Sequence, residues 1–187
     1  MENVPTIPAE EVAEARSNID ELADDIPVTN EPIDFNDIDT DANSVADLTP
    51  NEIGNAGEAV VEEALDAAGE TFAKTSAIEV RLTNGRTFRM VPDFLVVSGK
   101  RTFVDPDGVT QTVLDLRYAE SKASRNGLPE LDTLSENQAV FLDALLNGEI
   151  ERLTPIGSRV RDLVAAEEAT SIDIPQDGFE LFAFAVR

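Results

Sequence analysis

The stretch YAESKAS, residues 118–124, places a glutamate and a lysine two positions apart in a run that otherwise resembles a β-strand. A second stretch, MVPDFLVV at residues 90–97, places Asp93 among apolar neighbours. Side chains at positions i and i+2 of a strand project from the same face, so Glu120 and Lys122 project together. If the two stretches form neighbouring strands, Asp93 comes within reach of both. Since strands hold side chains in tight geometry, the sequence predicts a site built from these three residues.

The composition limits the chemistry that such a site can use. The 187 residues include no cysteine and no histidine. This excludes thiolate zinc sites, Ser-His or Cys-His catalysis and histidine metal ligands. Catalysis would depend on carboxylates, lysine, arginine, hydroxyls and an oxygen-bound cation, for which Mg²⁺ or Mn²⁺ is the natural choice. No apolar run approaches the length of a membrane span and no secretory signal pattern opens the chain, which predicts a soluble protein.

The formal net charge of -24 is unevenly distributed. Residues 1–50 contain fourteen acids and one arginine, whereas residues 74–125 contain nine bases and six acids, a local net charge of +3. A basic island in an acidic chain is typical of a phosphate-binding surface, although arginines scattered over hairpins would give the same count. The acidity, with eleven arginines and only three lysines, is also typical of proteins from high-salt environments.

The pattern of prolines, caps and apolar residues predicts two parts. Residues 1–49 are predicted to be an acidic arm that is partly helical or disordered, with a modest amphipathic helix over about 9–24. Residues 50–187 are predicted to be the folded domain. Its first helix begins after Thr49, with proline at the first helical position, and ends at Gly69.

The rest of the domain alternates strands and helices. Asn84-Gly85 predicts a hairpin whose second strand continues to Val97 with an interruption at Pro92. A further strand covers about 109–122. A helix follows with Ser135 as N-cap and Gln138 at the capping-box position. A short strand, another helix and the closing strand FELFAFAVR (179–187) complete an α/β or α+β arrangement.

Pro92-Asp93, followed by Glu120-Ser121-Lys122 on the next core strand, resembles the signature of the PD-(D/E)XK nuclease superfamily. The helix that carries Gly57-Glu58 and the stretch LSENQ at residues 134–138 resemble further elements of that superfamily. More narrowly, ESKAS and LSENQAVFLDAL resemble the nuclease toxin domains found at the C-termini of polymorphic and contact-dependent inhibition toxins of bacteria. The resemblance covers roughly residues 50–148. It implies an α/β restriction-endonuclease-like core, with a central mixed sheet flanked by helices.

The resemblance also implies roles for individual residues. Asp93 and Glu120 would bind Mg²⁺ or Mn²⁺, with the Ser121 carbonyl as a third ligand and Glu58 binding directly or through water. Lys122 would position the attacking water and stabilise charge on the phosphate. Further implied roles are orientation of Lys122 or the phosphate by Gln138 and contact with nucleic acid by Arg89, Arg117 and Arg125.

Plainer interpretations exist for each of these residues. Glu120 and Lys122 could be a solvated pair, Asp93 a turn residue, Gln138 only a capping residue and Glu58 an ordinary helix residue. The stems of Arg117 and Arg125 could simply cover apolar surface. The aromatic side chains are predicted to belong to the core rather than to stack on bases: Phe88, Phe94, Phe103 and Tyr118.

The leading hypothesis is a metal-dependent endonuclease that cleaves DNA or structured RNA such as tRNA. It would be a bacterial toxin or effector domain that acts in the cytoplasm, is secreted or delivered into a target cell, and is paired with a cognate immunity protein. The rival hypotheses are a non-catalytic acidic binding or immunity-type protein on a nuclease fold, and a DNA-repair or recombination nuclease.

Overall fold

The computed structural model describes residues 7–187, and this part of the chain forms four α-helices and nine β-strands. The helices are α1 (Ala9–Leu22), α2 (Pro50–Ala67), α3 (Glu136–Leu146) and α4 (Ser158–Ala166). The strands are β1 (Val28–Ile33), β2 (Phe72–Lys74), β3 (Ile78–Leu82), β4 (Thr87–Met90), β5 (Phe94–Val104), β6 (Thr110–Ser124), β7 (Ile150–Pro155), β8 (Ser171–Asp173) and β9 (Phe179–Val186). No helix within residues 7–187 is both long enough and apolar enough to cross a membrane.

The strands form two sheets. The larger has the order β1-β9-β6-β5-β2, and β8 pairs with the first half of β6. β5 runs antiparallel to β6 and β2, whereas β9 runs parallel to β6 and β1. The smaller sheet is antiparallel, with the order β4-β3-β7. The larger sheet is therefore mixed.

Helices cover both faces of the larger sheet because its strands alternate between two apolar surfaces. Phe94 and Val96 face α2, and Leu95 faces the cluster that contains α1, α3 and the smaller sheet. Val61 of α2 and Phe141 of α3 are both fully buried at these contacts. The predicted mixed sheet flanked by helices is confirmed.

The acidic segment before residue 50 belongs to the same folded unit. One face of α1 is buried against the main core through Val12, Ala15 and Ile19. β1 extends the larger sheet by pairing with β9, and Leu48 is buried beside α2. The predicted helix is confirmed. Residue 50 does not mark the edge of the core, because α1 has an apolar stripe opposite its acidic face and this stripe packs on α3.

The predicted long strand around Pro92 is two strands in different sheets. β4 ends at Met90 in the smaller sheet, and β5 begins at Phe94 in the larger one. Proline lacks the N–H that a continuous ladder needs, so the chain turns there. Phe88 and Phe94 are buried as predicted, whereas Phe103 is 49% exposed because β5 and β6 extend beyond the core at that end.

Candidate active site

The site lies where β5 begins beside the middle of β6. Phe94 pairs with Ala119, so Asp93 stands just before the first paired residue of β5, level with Glu120. The Ser121 backbone N–H donates a hydrogen bond to Asp93 Oδ2 at 2.9 Å. Because the N–H and C=O of a strand residue point to the same neighbour, the Ser121 carbonyl also points to this side. Asp93 and the stretch 118–124 are thus brought together by neighbouring strands.

Glu120 is only 2% exposed, and three side chains contact its carboxylate. The Tyr118 hydroxyl donates to Oε2 at 2.5 Å, and the Gln138 side-chain amide donates to Oε1 at 2.8 Å. Lys122 Nζ lies 3.4 Å from Oε1, and its side chain is 26% exposed. Glu120 and Lys122 are therefore not a solvated surface pair, because a buried carboxylate needs such donors.

Gln138 caps α3 as predicted, and its side chain also reaches the site, where it contacts Glu120 and not Lys122. Its side-chain oxygen accepts a hydrogen bond from the Ser135 backbone N–H at 2.9 Å, and its own N–H is capped by the Ser135 hydroxyl. The capping box fixes the amide oxygen of Gln138, which leaves the amide nitrogen aimed at Glu120. The beginning of α3 thus sets the orientation of the buried carboxylate.

The carboxylates perturb one another. Burial, followed by the negative charge of Glu120, raises the pKa of Asp93 to about 7, although the Ser121 N–H and Lys122 act in the opposite direction. Burial and the charge of Asp93 raise the pKa of Glu58. Burial and the charge of Glu120 raise the pKa of Tyr118 well above its usual range, so its hydroxyl stays protonated and remains a donor. This concentration of shifted acids makes the cluster the candidate functional site.

Glu58 reaches this site because α2 lies very close to β6. A Cβ atom on Gly57 would lie 2.9 Å from Ser121 Oγ and 3.1 Å from the Ala123 Cβ. The absence of a side chain at Gly57 lets the helix approach and places Glu58 beside Asp93, whose carboxylate influences its pKa. The Ser121 hydroxyl at this contact is buried without a hydrogen-bond partner among the described residues.

The donor set suits a hard divalent cation bound by two carboxylates. No group of three or more acidic side chains in residues 7–187 is placed to share a metal ion. Mg²⁺ is commonly bound by one or two protein carboxylates, with waters and substrate oxygens completing its shell. Burial and then the charge of Glu120 raise the pKa of Asp93, and a cation held by these two carboxylates would offset the repulsion between them.

Two of the three predicted nucleic-acid contacts are occupied elsewhere. Arg125 donates to the backbone carbonyls of Ala46 and Leu48, which ties the segment before α2 to the end of β6. Arg117 is paired with Glu180 at 3.1 Å and also lies 3.6 Å from Glu70. These two arginines therefore stabilise the fold, because buried or partly buried acids and carbonyls need donors.

The basic island as a whole is largely neutralised. Apart from Arg117, Arg125 and Lys122, five of its bases form ion pairs with acids: Lys74, Arg81, Arg86, Lys100 and Arg101. Arg89 alone among the nine has neither an ion pair nor a side-chain hydrogen bond within residues 7–187, since Arg125 is held by two backbone carbonyls. It lines an open groove of 530 Å³ between β4 and the beginning of α3 that includes Gln138. Arg89 and Lys122 are thus the bases best placed to meet a phosphate near Glu120.

Tyr118 is the site residue that the sequence-based prediction missed as a functional group. It was correctly assigned to the core, where it is fully buried. Its position two residues before Glu120 puts it on the same face of β6, and that spacing was the available signal.

Comparison of the chain with models of protein families, with curated proteins and with solved structures gave no match.

Proposed function

We propose that this protein is a metal-dependent endonuclease that hydrolyses phosphodiester bonds in DNA or structured RNA such as tRNA. The observation that carries the proposal is the meeting of Asp93 and Glu120 at the junction of β5 and β6, with Lys122 Nζ 3.4 Å from Glu120 Oε1. Two carboxylates that hold a metal ion and one ammonium group are sufficient for metal-assisted phosphodiester hydrolysis without histidine.

Each side chain has a distinct task in this proposal. Asp93 and Glu120, aided by the Ser121 carbonyl, would hold Mg²⁺ or Mn²⁺, which when bound acts as a Lewis acid toward the phosphate. Lys122 would orient the attacking water and offset the charge that develops on the phosphate oxygens. Gln138 and Tyr118 would keep Glu120 in place. Glu58 would act on Asp93 from the edge of the site, and Arg89 would hold the substrate backbone.

The arrangement of elements supports a restriction-endonuclease-like core. The acids lie on two adjacent antiparallel strands, β5 and β6, with α2 packed on one face and α3 supplying Gln138 on the other. This is the order of elements that the PD-(D/E)XK resemblance implies. The toxin or effector role and the cognate immunity protein are further parts of the proposal, and both stay predictions.

The proposal is tested by incubating the purified protein with supercoiled DNA and with bulk tRNA, in Mg²⁺ or Mn²⁺ and with or without a chelator. We expect cleavage that the chelator abolishes, and a loss of at least about 100-fold in rate in Glu120→Ala and Lys122→Ala. Arg81→Ala, an exposed strand position outside the site, is the matched control and should cleave normally. Absence of cleavage by the wild type in either ion would refute the proposal.

A non-catalytic acidic binding or immunity-type protein is the second candidate. The pairing of nearly every base in the basic island favours it, because little positive surface remains for a polyanion. Titration with Mg²⁺ separates the two candidates. A bound cation should raise the unfolding temperature of the wild type but not of Asp93→Ala if the site is a metal centre, whereas neither should respond if the protein only binds a basic partner.

A further inference from the structure

Tyr118 is the only tyrosine of the chain, and neighbouring residues hold both its ring and its backbone. Its ring packs edge to face against Phe141 of α3, with centroids 5.8 Å apart, and against Phe179 of β9 at 5.1 Å. Its backbone N–H donates to the Gly178 carbonyl at 2.6 Å. These contacts fix the ring, and therefore the hydroxyl has one position from which to donate to Glu120.

The hydroxyl limits how Glu120 can turn. A carboxylate offers about four acceptor positions over its two oxygens. Tyr118 uses one on Oε2, and Gln138 and Lys122 both lie on the Oε1 side. At least one acceptor position therefore has no donor within residues 7–187, and Asp93 lies level with Glu120 on the neighbouring strand. Rigid donors hold both oxygens, so the carboxylate cannot rotate freely even before a cation binds. Binding therefore does not carry the free-energy cost of immobilising it.

We propose that Tyr118 is a positioning residue that holds Glu120 ready for a divalent cation, so that its hydroxyl contributes to metal affinity through Glu120. The inference rests on the proposed function, because it assigns Tyr118 to the same metal centre. It assigns a role in metal binding to a side chain that would otherwise count only as core. Removal of partners that orient metal ligands typically costs 10- to 100-fold in metal affinity.

Tyr118→Phe tests the inference because it removes the hydroxyl and keeps the ring. Calorimetric titration with Mn²⁺ should show affinity about 10- to 100-fold weaker than that of the wild type. Ser76→Ala is the matched control, since Ser76 is a buried hydroxyl that caps α4 and lies outside the site. It should destabilise the fold without changing the Mn²⁺ affinity. Affinity of Tyr118→Phe within twofold of the wild type, or tighter, would overturn the inference.

A second measurement uses the wild type and does not depend on the folding of a variant. The chain contains no tryptophan, so its tyrosine emission comes from Tyr118 alone. Binding of Mg²⁺ to Glu120 changes the charge that the hydroxyl faces, and the emission should change with a midpoint equal to the calorimetric dissociation constant. Glu120→Gln should abolish the change.

The outcomes separate the two proposals. Heat of Mg²⁺ binding without any change in tyrosine emission would overturn the role of Tyr118 and leave the metal centre intact. Failure of the wild type to bind either ion would refute the proposed function itself, and the inference would fall with it.

Discussion

Asp93 is the residue through which pH should act on the metal-free protein. Burial and the charge of Glu120 raise its pKa from 3.8 to about 7. The folded state therefore binds the Asp93 proton more tightly than the unfolded state does. The stability that depends on this proton is fully present below pH 3.8 and is lost as the pH rises toward 7.

Asp93→Asn should remove this pH dependence because an amide cannot ionise. In the presence of a chelator, we expect the variant to be more stable than the wild type at pH 8 by about 1–3 kcal/mol, and the difference to shrink toward pH 4. Urea unfolding at several pH values measures it. Asp66→Asn, at an exposed position of α2, is the control for a change in net charge. Parallel stability curves for wild type and Asp93→Asn would contradict the prediction.

The sequence predicted the residues of the site better than their partners. The i and i+2 spacing brought Glu120 and Lys122 together, and the capping box at Ser135 located Gln138, because both patterns are local. The partners of Arg117 and Arg125 lie 47 to 79 residues away in sequence, so only the folded chain brings them together. The composition gives the number of those bases but does not show that they are paired.

At the scale of elements, Gly57 decides how closely α2 approaches β6. A Cβ atom at Gly57 would crowd three side-chain atoms, whereas one at Gly54, on the same helix, would meet nothing within 4 Å. Alanine should improve helix propensity at both positions by about 1 kcal/mol. Overpacking opposes that gain only at Gly57.

We therefore expect Gly57→Ala to be less stable than Gly54→Ala by about 1–3 kcal/mol, since the propensity terms cancel in the comparison. Urea unfolding of the two variants measures the difference directly. Equal stabilities would show that β6 yields to the added methyl group and that the close approach does not constrain Glu58.

The elements that the sequence predicted share strong local signals. The Asn84-Gly85 hairpin forms through a turn in which Gly85 has φ +87°, and α2 and α3 both begin with capping boxes. β1 was missed because VTNEPI is polar and carries a proline, and five of its six residues are exposed. Its strand conformation comes from pairing with β9 at the edge of the sheet, where tertiary context overrides propensity.

For the whole molecule, the formal charge of -24 opposes the approach of a polyanion. The fold uses most bases of residues 74–125 internally, in ion pairs or in hydrogen bonds to backbone carbonyls. Near the site, a nucleic acid would thus meet few positive charges, chiefly Arg89 in the groove beside α3 and Lys122. Substrate affinity would then come from the cation and a small number of phosphate contacts.

This charge distribution predicts an unusually shallow salt dependence of nucleic-acid binding. Each phosphate that a base neutralises contributes about -0.9 to the slope of log K against log salt concentration. If Arg89 and Lys122 are the bases that contact phosphates, the slope is about -2, whereas a nuclease with a broad basic surface gives a much steeper one. Fluorescence anisotropy of a labelled DNA duplex with the Glu120→Gln variant measures the slope without cleavage.

Arg89→Ala should make that slope shallower by about 0.9, the contribution of one phosphate, because Arg89 has no ion-pair partner within residues 7–187. Arg81→Ala is the matched control on the neighbouring strand, where Arg81 is paired with Glu151 at 3.4 Å, and it should leave the slope unchanged. A wild-type slope steeper than about -4 would contradict the prediction. It would mean that further bases contact the DNA, either after release from their present acids or from outside the basic island, as Arg152 and Arg161 could.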